Sequence, residues 1–205
     1  MIQSVAWLSI AFGLGAVVVR RRSVAIILVG CQSTAIGIAA IALAPGRPSE
    51  FFLAAAVLIV KAVLLTGLLM AAVLRTREAT RIRSDVDPLL RLALTLTAIL
   101  AANLLIPLMP GVTQDVQRGS IALLCIGGAV FVLRRATILQ LVGVLVAENG
   151  LALAAISIAG GMPAVIELGA LFDLILVISV AIAFHNRIYV LLGSGDSALL
   201  TELRD

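Results

Sequence analysis

The chain has 205 residues, of which 62% are hydrophobic and 13% charged, and its mean hydropathy is +1.20. This composition excludes a water-soluble domain, whose surface could not consist of so many apolar side chains, and it predicts an integral membrane protein. The net charge of +4 does not indicate nucleic-acid binding, because the arginines cluster at the ends of apolar segments, where they orient a chain in a membrane.

The apolar segments are about twenty residues long, as helices that cross a bilayer require. Strands of a membrane barrel would be about ten residues long and would alternate in polarity, so the sequence predicts an all-α, polytopic protein. We expect seven transmembrane helices, the fifth being the shortest, at residues 3–19, 23–44, 51–74, 88–109, 119–133, 137–159 and 164–184. Pro107 could bend the fourth helix near its end and free a backbone carbonyl.

Arginine clusters follow the odd-numbered predicted helices, whereas the breaks after the even-numbered ones carry only Arg47 and Arg118. The positive-inside rule then places the N-terminus outside and the C-terminus in the cytoplasm, for a multi-pass protein of the inner (cytoplasmic) membrane. The clusters are Arg20, Arg21 and Arg22; Arg75, Arg77, Arg81 and Arg83; Arg134 and Arg135; and Arg187.

A shift of the chain along itself by 113 residues aligns a paired Arg-Arg and three glycines with their counterparts. Arg21, Arg22, Gly15, Gly30 and Gly37 then fall on Arg134, Arg135, Gly128, Gly143 and Gly150. This register predicts two parallel three-helix units joined by the fourth helix as a spacer. The predicted parts are an N-terminal unit with a cytoplasmic loop at 1–86, the spacer helix with an outer loop at 87–118, a C-terminal unit at 119–187 and a cytoplasmic tail at 188–205.

Several ionisable residues fall inside the predicted helices, where each costs roughly 2.5 to 3.5 kcal/mol on insertion scales and therefore indicates function. A rise of ~1.5 Å per residue places Lys61, Glu148 and Asp173 roughly 15–20 Å deep, near the middle of a ~30 Å core. Gln32 and Asn103 come out at a similar depth. Lys61 is the only lysine, and a buried lysine can lose its proton whereas arginine remains charged. The arrangement suits proton transfer.

Structural alternatives remain open for the same residues. Lys61 could pair with Glu148 or Asp173 only to neutralise buried charge. Gln32 and Asn103 could form ordinary interhelical hydrogen bonds instead of lining a water-filled path.

Two further polar residues belong to the last predicted helix. Glu167 lies near its outer end, where the side chain could reach the membrane surface or serve as a proton exit. His185 ends the helix on the inner side, either as an interfacial or capping residue or as a relay.

The remaining features predict packing and not chemistry. Cys31 and Cys125 lack metal-ligand spacing and read as small core residues. The chain has one histidine and no phosphate-binding loop, so no catalytic residue, cofactor or metal site is expected in it. Small residues should let helices approach closely, namely Gly13, Gly15, Gly30, Ser33, Gly37, Gly127, Gly128, Gly143 and Gly150.

Two segments carry a family resemblance: LVGVLVAENGLALAAIS and GMPAVIELGALFDLILVISVAIAFHNRI. The tetrad AENG, the GMP triplet and ELGALFD before a helix ending in His-Asn-Arg resemble the C-terminal part of component E of hydrogenase-4 and formate hydrogenlyase-type complexes. The last three helices are also similar to the K subunit of complex I and the C subunit of multisubunit cation/proton antiporters. In those subunits mid-membrane acids occupy the positions of Glu148, followed by Asn149, and Asp173.

The resemblance implies a non-catalytic membrane subunit of a complex I-related respiratory hydrogenase, contributing a proton path coupled to redox chemistry elsewhere. Glu148 would be the central exchangeable site, Asp173 its relay and Lys61 the charge that tunes both. The full predicted path comprises Glu148, Asp173, Lys61, Glu167, Asn149, His185, Asn103 and Gln32.

No cofactor is then expected in this chain, whereas partner subunits would carry a nickel-iron centre and iron–sulfur clusters. The partners would be antiporter-like and quinone-module-like membrane subunits and the lipid bilayer, without nucleic acid. A subunit of a cation/proton antiporter, exchanging Na⁺ or K⁺, and a purely structural bridging subunit are the alternatives.

Overall fold

The computed structural model describes residues 2–43, 49–76, 87–107, 113–157, 171, 174–185 and 187. Every regular element among them is a helix, so the predicted all-α class is confirmed. The helices are α1 (Ile2–Val18), α2 (Arg22–Leu43), α3 (Ser49–Thr76), α4 (Pro88–Leu105), α5 (Gln114–Leu133), α6 (Thr137–Ser157) and α7 (Leu174–His185).

Five of these helices, α2 to α6, are long and apolar enough to cross a membrane. The helices α1 and α7 are also apolar but are shorter over their described residues. Large side chains such as Trp7, Leu74 and Leu104 are exposed on the outside of the bundle, where an aqueous surface would disfavour them. These properties indicate a membrane protein.

The start of α5 differs from the sequence prediction. The helix begins at Gln114 instead of residue 119 and has 20 residues, so it is longer than α1 with 17 and α4 with 18. Asp115 lies in its first turn, where a carboxylate interacts favourably with the positive end of the helix dipole. The polar residues that resembled a loop therefore form the first turn of α5, and the expectation that this helix is the shortest was wrong.

The end of α4 also differs, and Pro107 explains it. Ile106 is extended, with φ −88° and ψ 118°, because a residue before proline is disfavoured in the helical region. The helix therefore ends at Leu105, short of the predicted residue 109, and Pro107 follows the helix instead of bending it. The Pro107 carbonyl accepts a hydrogen bond of 2.7 Å from Gln117 Nε2, which ties the end of α4 to the start of α5.

The helices pack around an aliphatic core, with α1 beside α2 and α5, α2 beside α3 and α6, and α4 beside α5 and α1. The closest approach is between α5 and α6. A Cβ atom at Gly127 would lie 2.5 Å from the backbone nitrogen of Ala147, and one at Gly143 would lie 2.7 Å from the backbone nitrogen of Phe131. Gly128, also predicted to permit close approach, has no atom within 4 Å of its Cβ position. Gly127 and Gly143 thus set this interface.

We expect Gly127→Ala to weaken the fold and Gly128→Ala to leave it unchanged. The methyl group at Gly127 meets backbone, which cannot rotate away, so α5 and α6 must separate at a cost of about 1–3 kcal/mol. Denaturant or thermal unfolding of the purified chain in detergent measures the difference. Equal stability of the two variants would contradict this account of the α5–α6 interface.

Candidate functional site

A buried ion pair joins α3 and α6. The Lys61 ammonium group donates a hydrogen bond to Oε1 of Glu148. The Lys61 side chain is 3% exposed and that of Glu148 is 20% exposed. An ammonium group so deeply buried requires a compensating charge close by, and Glu148 supplies it.

The second carboxylate oxygen of Glu148, Oε2, does not share the contact with Lys61. Glu148 Oε2 is buried and has no hydrogen-bond partner within the described parts of the chain. One carboxylate therefore presents one oxygen held by a cation and another that is available to accept a proton or a hydrogen bond.

Beside the ion pair, buried amide and hydroxyl groups form a hydrogen-bonded chain across α1, α2 and α6. Asn149 Nδ2 donates to Gln32 Oε1 at 2.9 Å and contacts Ser33 Oγ at 2.8 Å. Ser33 Oγ also donates to Asn149 Oδ1 at 2.9 Å. Gln32 Nε2 continues the chain to the Ser9 carbonyl at 2.8 Å. Burial of these groups is tolerated because they satisfy one another.

Together these groups form a polar belt inside the bundle. We use this name for Gln32, Ser33, Lys61, Glu148, Asn149 and the Ser9 carbonyl. Consecutive helical positions point about 100° apart, so Glu148 reaches α3 while Asn149 reaches α2. The Glu-Asn dipeptide of α6 is thus the centre from which the belt contacts three other helices.

Of the predicted path residues, Gln32, Lys61, Glu148 and Asn149 come together in the polar belt. Ser33, predicted only as a small packing residue, belongs to it as well. Glu167 and Asp173 lie outside the described residues.

Asn103 is placed elsewhere. Its Nδ2 donates to the Ile99 carbonyl of the same helix at 2.9 Å, and its Oδ1 is buried without a hydrogen-bond partner among the described residues. It lines a mainly apolar cavity of about 540 Å³ between α1, α4 and α5, whose polar residues include Asp115 and Arg118. Asn103 was predicted to lie at the same depth as the belt residues, but it is not part of the belt, because α4 directs it toward the cavity beside α1 and α5.

His185 lies at the end of α7 and is fully buried, with 0% exposure. Arg22, at the start of α2, is close enough to act on it electrostatically. The histidine is therefore part of the interior at the arginine-rich end of the bundle and does not lie at an exposed interface.

Two buried arginines near that end were not identified as site residues from the sequence. Arg134 is 3% exposed, and its Nη2 donates to the Val17 carbonyl at 2.8 Å and to that of Val19. These are carbonyls at the C-terminus of α1, which lack partners within the helix. Arg91, in the first turn of α4, is 1% exposed. In the sequence, Arg91 stands alone within an apolar run, apart from the arginine clusters, and this position could have indicated that it is buried.

Comparison with known proteins identifies a relative of the chain. No family model matches the chain, and no solved structure matches it. The uncharacterized protein Rv0085 of Mycobacterium tuberculosis (strain ATCC 25618 / H37Rv) is 35% identical over 155 residues, which cover 73% of this chain and 70% of that protein. The chain therefore belongs to the same family as Rv0085.

Proposed function

We propose that the chain is a non-catalytic membrane subunit of a complex I-related respiratory hydrogenase, of the hydrogenase-4 or formate hydrogenlyase type. The polar belt would form part of a proton path that is coupled to redox chemistry in partner subunits. The observation that carries this proposal is the Lys61–Glu148 pair inside a bundle of apolar helices. The resemblance around Glu148-Asn149 supports the type of complex.

The geometry of the pair suits proton exchange. A proton that reaches Oε2 of Glu148 neutralises the carboxylate and leaves the Lys61 ammonium without its counter-charge. Loss of a proton from Lys61 then leaves both groups uncharged, and transfer of the proton from Glu148 to Lys61 across their direct contact restores the ion pair. Uptake at Glu148 and release at Lys61 are therefore coupled, because the two groups share one buried interaction.

The proposal extends the path beyond the belt. Asp173 would relay protons toward a neighbouring subunit, with Glu167 near the outer surface and His185 near the inner one. The chain would span the membrane seven times as two parallel three-helix units, with its N-terminus outside and its C-terminus in the cytoplasm. Nickel-iron and iron–sulfur centres would belong to the partner subunits.

A purely structural role is the second candidate. The observation that favours it is the direct bond between Lys61 and Glu148 with Lys61 almost wholly buried, as in ion pairs that only fix the positions of helices. Such a subunit would bridge larger antiporter-like subunits without carrying protons.

Glu148→Gln, introduced into the assembled complex, should abolish proton translocation while leaving assembly intact. An amide keeps the shape of the side chain but cannot take up the exchanged proton, and removal of a proton-transfer group costs about 10²-fold or more in rate. Dye-monitored acidification of vesicles measures pumping, and native gel electrophoresis measures assembly. Asp115→Asn is the matched control, because Asp115 is an exposed acid that bonds Gln3 outside the belt.

Normal pumping by a normally assembled Glu148→Gln complex would overturn the proton-path proposal. Flux of Na⁺ or K⁺ through the reconstituted complex without an electron donor would instead indicate an antiporter subunit.

A second prediction separates the proton path from the structural role. Lys61→Met alone should destabilise the purified chain by about 3–5 kcal/mol, because it leaves the Glu148 carboxylate buried without a partner. The double variant Lys61→Met/Glu148→Gln removes both charges and should regain most of that stability. Unfolding in detergent measures both effects.

In the complex, the double variant should assemble but should not pump. If it assembles and pumps normally, the pair has a structural role only.

A further inference from the structure

Three arginines from different parts of the chain come together at one end of the bundle. Arg20 follows α1, Arg91 lies in the first turn of α4, and Arg134 lies between α5 and α6. Burial, followed by the positive charges of Arg91 and Arg20, lowers the pKa of Arg134 to about 10. Geometry agrees with this proximity, because Arg134 Nη2 bonds the carbonyl of Val19, the residue before Arg20, and α4, which carries Arg91, packs against both α1 and α5.

Most of the buried guanidinium nitrogens lack a partner. Nη2 of Arg134 bonds the carbonyls at the end of α1, but its Nε and Nη1 have no partner in the described regions. Nε, Nη1 and Nη2 of Arg91 also have no hydrogen-bond partner among the described residues. Buried donors left in this way normally meet a protein acceptor, ordered water or a ligand.

Among the residues that the structure describes, the local charge is also unbalanced. Asp87 is the acid that acts on Arg91, but it is exposed, and its Oδ1 already accepts a hydrogen bond of 2.8 Å from the Leu89 nitrogen at the start of α4. One exposed carboxylate does not compensate two buried guanidinium groups and a third beside them.

The position of the cluster indicates which anion would restore the balance. Arg20, Arg91 and Arg134 lie at the ends of apolar helices, the level at which lipid headgroups meet a membrane protein. Basic pockets between transmembrane helices bind phosphate headgroups there, and planar guanidinium groups match phosphate oxygens. Arg20 is exposed whereas Arg91 and Arg134 are buried, so the cluster has an open side and a buried base.

We propose that Arg20, Arg91 and Arg134 form a binding site for a phosphate group, carried by a phospholipid headgroup or by free phosphate. Arg91 and Arg134 hold the phosphate oxygens at the base, and Arg20 closes the open side. The site is independent of the polar belt and of the function proposed for it.

Native mass spectrometry of the purified full-length chain tests the site. The chain is delipidated in detergent and then given phosphatidylglycerol or phosphatidylcholine at matched concentrations. Arg91→Gln should lower retention of phosphatidylglycerol about tenfold or more, because it removes charge-assisted hydrogen bonds. Arg21→Gln is the matched control: Arg21 is exposed and adjacent to Arg20 in the chain, and it is not among the charges that act on Arg91 or Arg134.

A second measurement distinguishes free phosphate from a headgroup. Thermal unfolding is followed in inorganic phosphate and in chloride at equal ionic strength. Free phosphate is the ligand if phosphate stabilises the wild type but not Arg91→Gln, and if lipid retention does not depend on Arg91. Arg91-dependent lipid retention without that stabilisation would identify the headgroup.

Circular dichroism checks the fold of each variant. If Arg91→Gln does not fold, Arg20→Gln provides the test at an exposed position and should lower retention about threefold or more. The proposal would be overturned if the cluster variant, Arg91→Gln or its substitute Arg20→Gln, behaved like both the wild type and the control Arg21→Gln. In that case all three proteins would retain lipid equally and would be stabilised equally by phosphate.

Discussion

A buried lysine in an apolar bundle constrains every helix near it. While it is charged, the ammonium group of Lys61 needs an anion inside the protein, because hydrocarbon offers none. Glu148 meets it, and this fixes the rotation and height of α3 relative to α6. The next residue of α6, Asn149, fixes α2 in the same way through Gln32 and Ser33. Two consecutive residues therefore set the positions of three helices, and the aliphatic core packs around that arrangement.

Close packing makes this arrangement possible. Gly127 and Gly143 bring the backbones of α5 and α6 into close contact, which holds α6 in place on the side of α5. At the arginine-rich end, Arg134 bonds the final carbonyls of α1 and links the α5–α6 connection to the first helix. Directional bonds thus fix the bundle at the belt and at one end, while apolar contacts between small residues determine the spacing of its helices.

The sequence predicts most helix bounds within a few residues because apolar runs of bilayer length end at arginines. Position along a helix is also predictable, because the rise per residue is constant, and three residues of similar predicted depth, Gln32, Lys61 and Glu148, lie together in the polar belt. The direction in which each residue points was not predictable in the same way. Asn103 therefore lines a separate cavity, and the burial of Arg134 was missed because arginines clustered at helix ends usually mark only orientation.

The two kinds of buried cation in the structure have different chemistry. Arg91 and Arg134 remain protonated at any pH the cell reaches, so burial leaves them in need of a permanent negative partner. Lysine, unlike arginine, is a residue type that can exist without its proton in a protein, and the function proposed above depends on that property of the Lys61–Glu148 pair. The chain uses arginine at the helix ends and its single lysine in the belt. That division separates the arginine cluster at one end of the bundle from the lysine–glutamate pair in its interior.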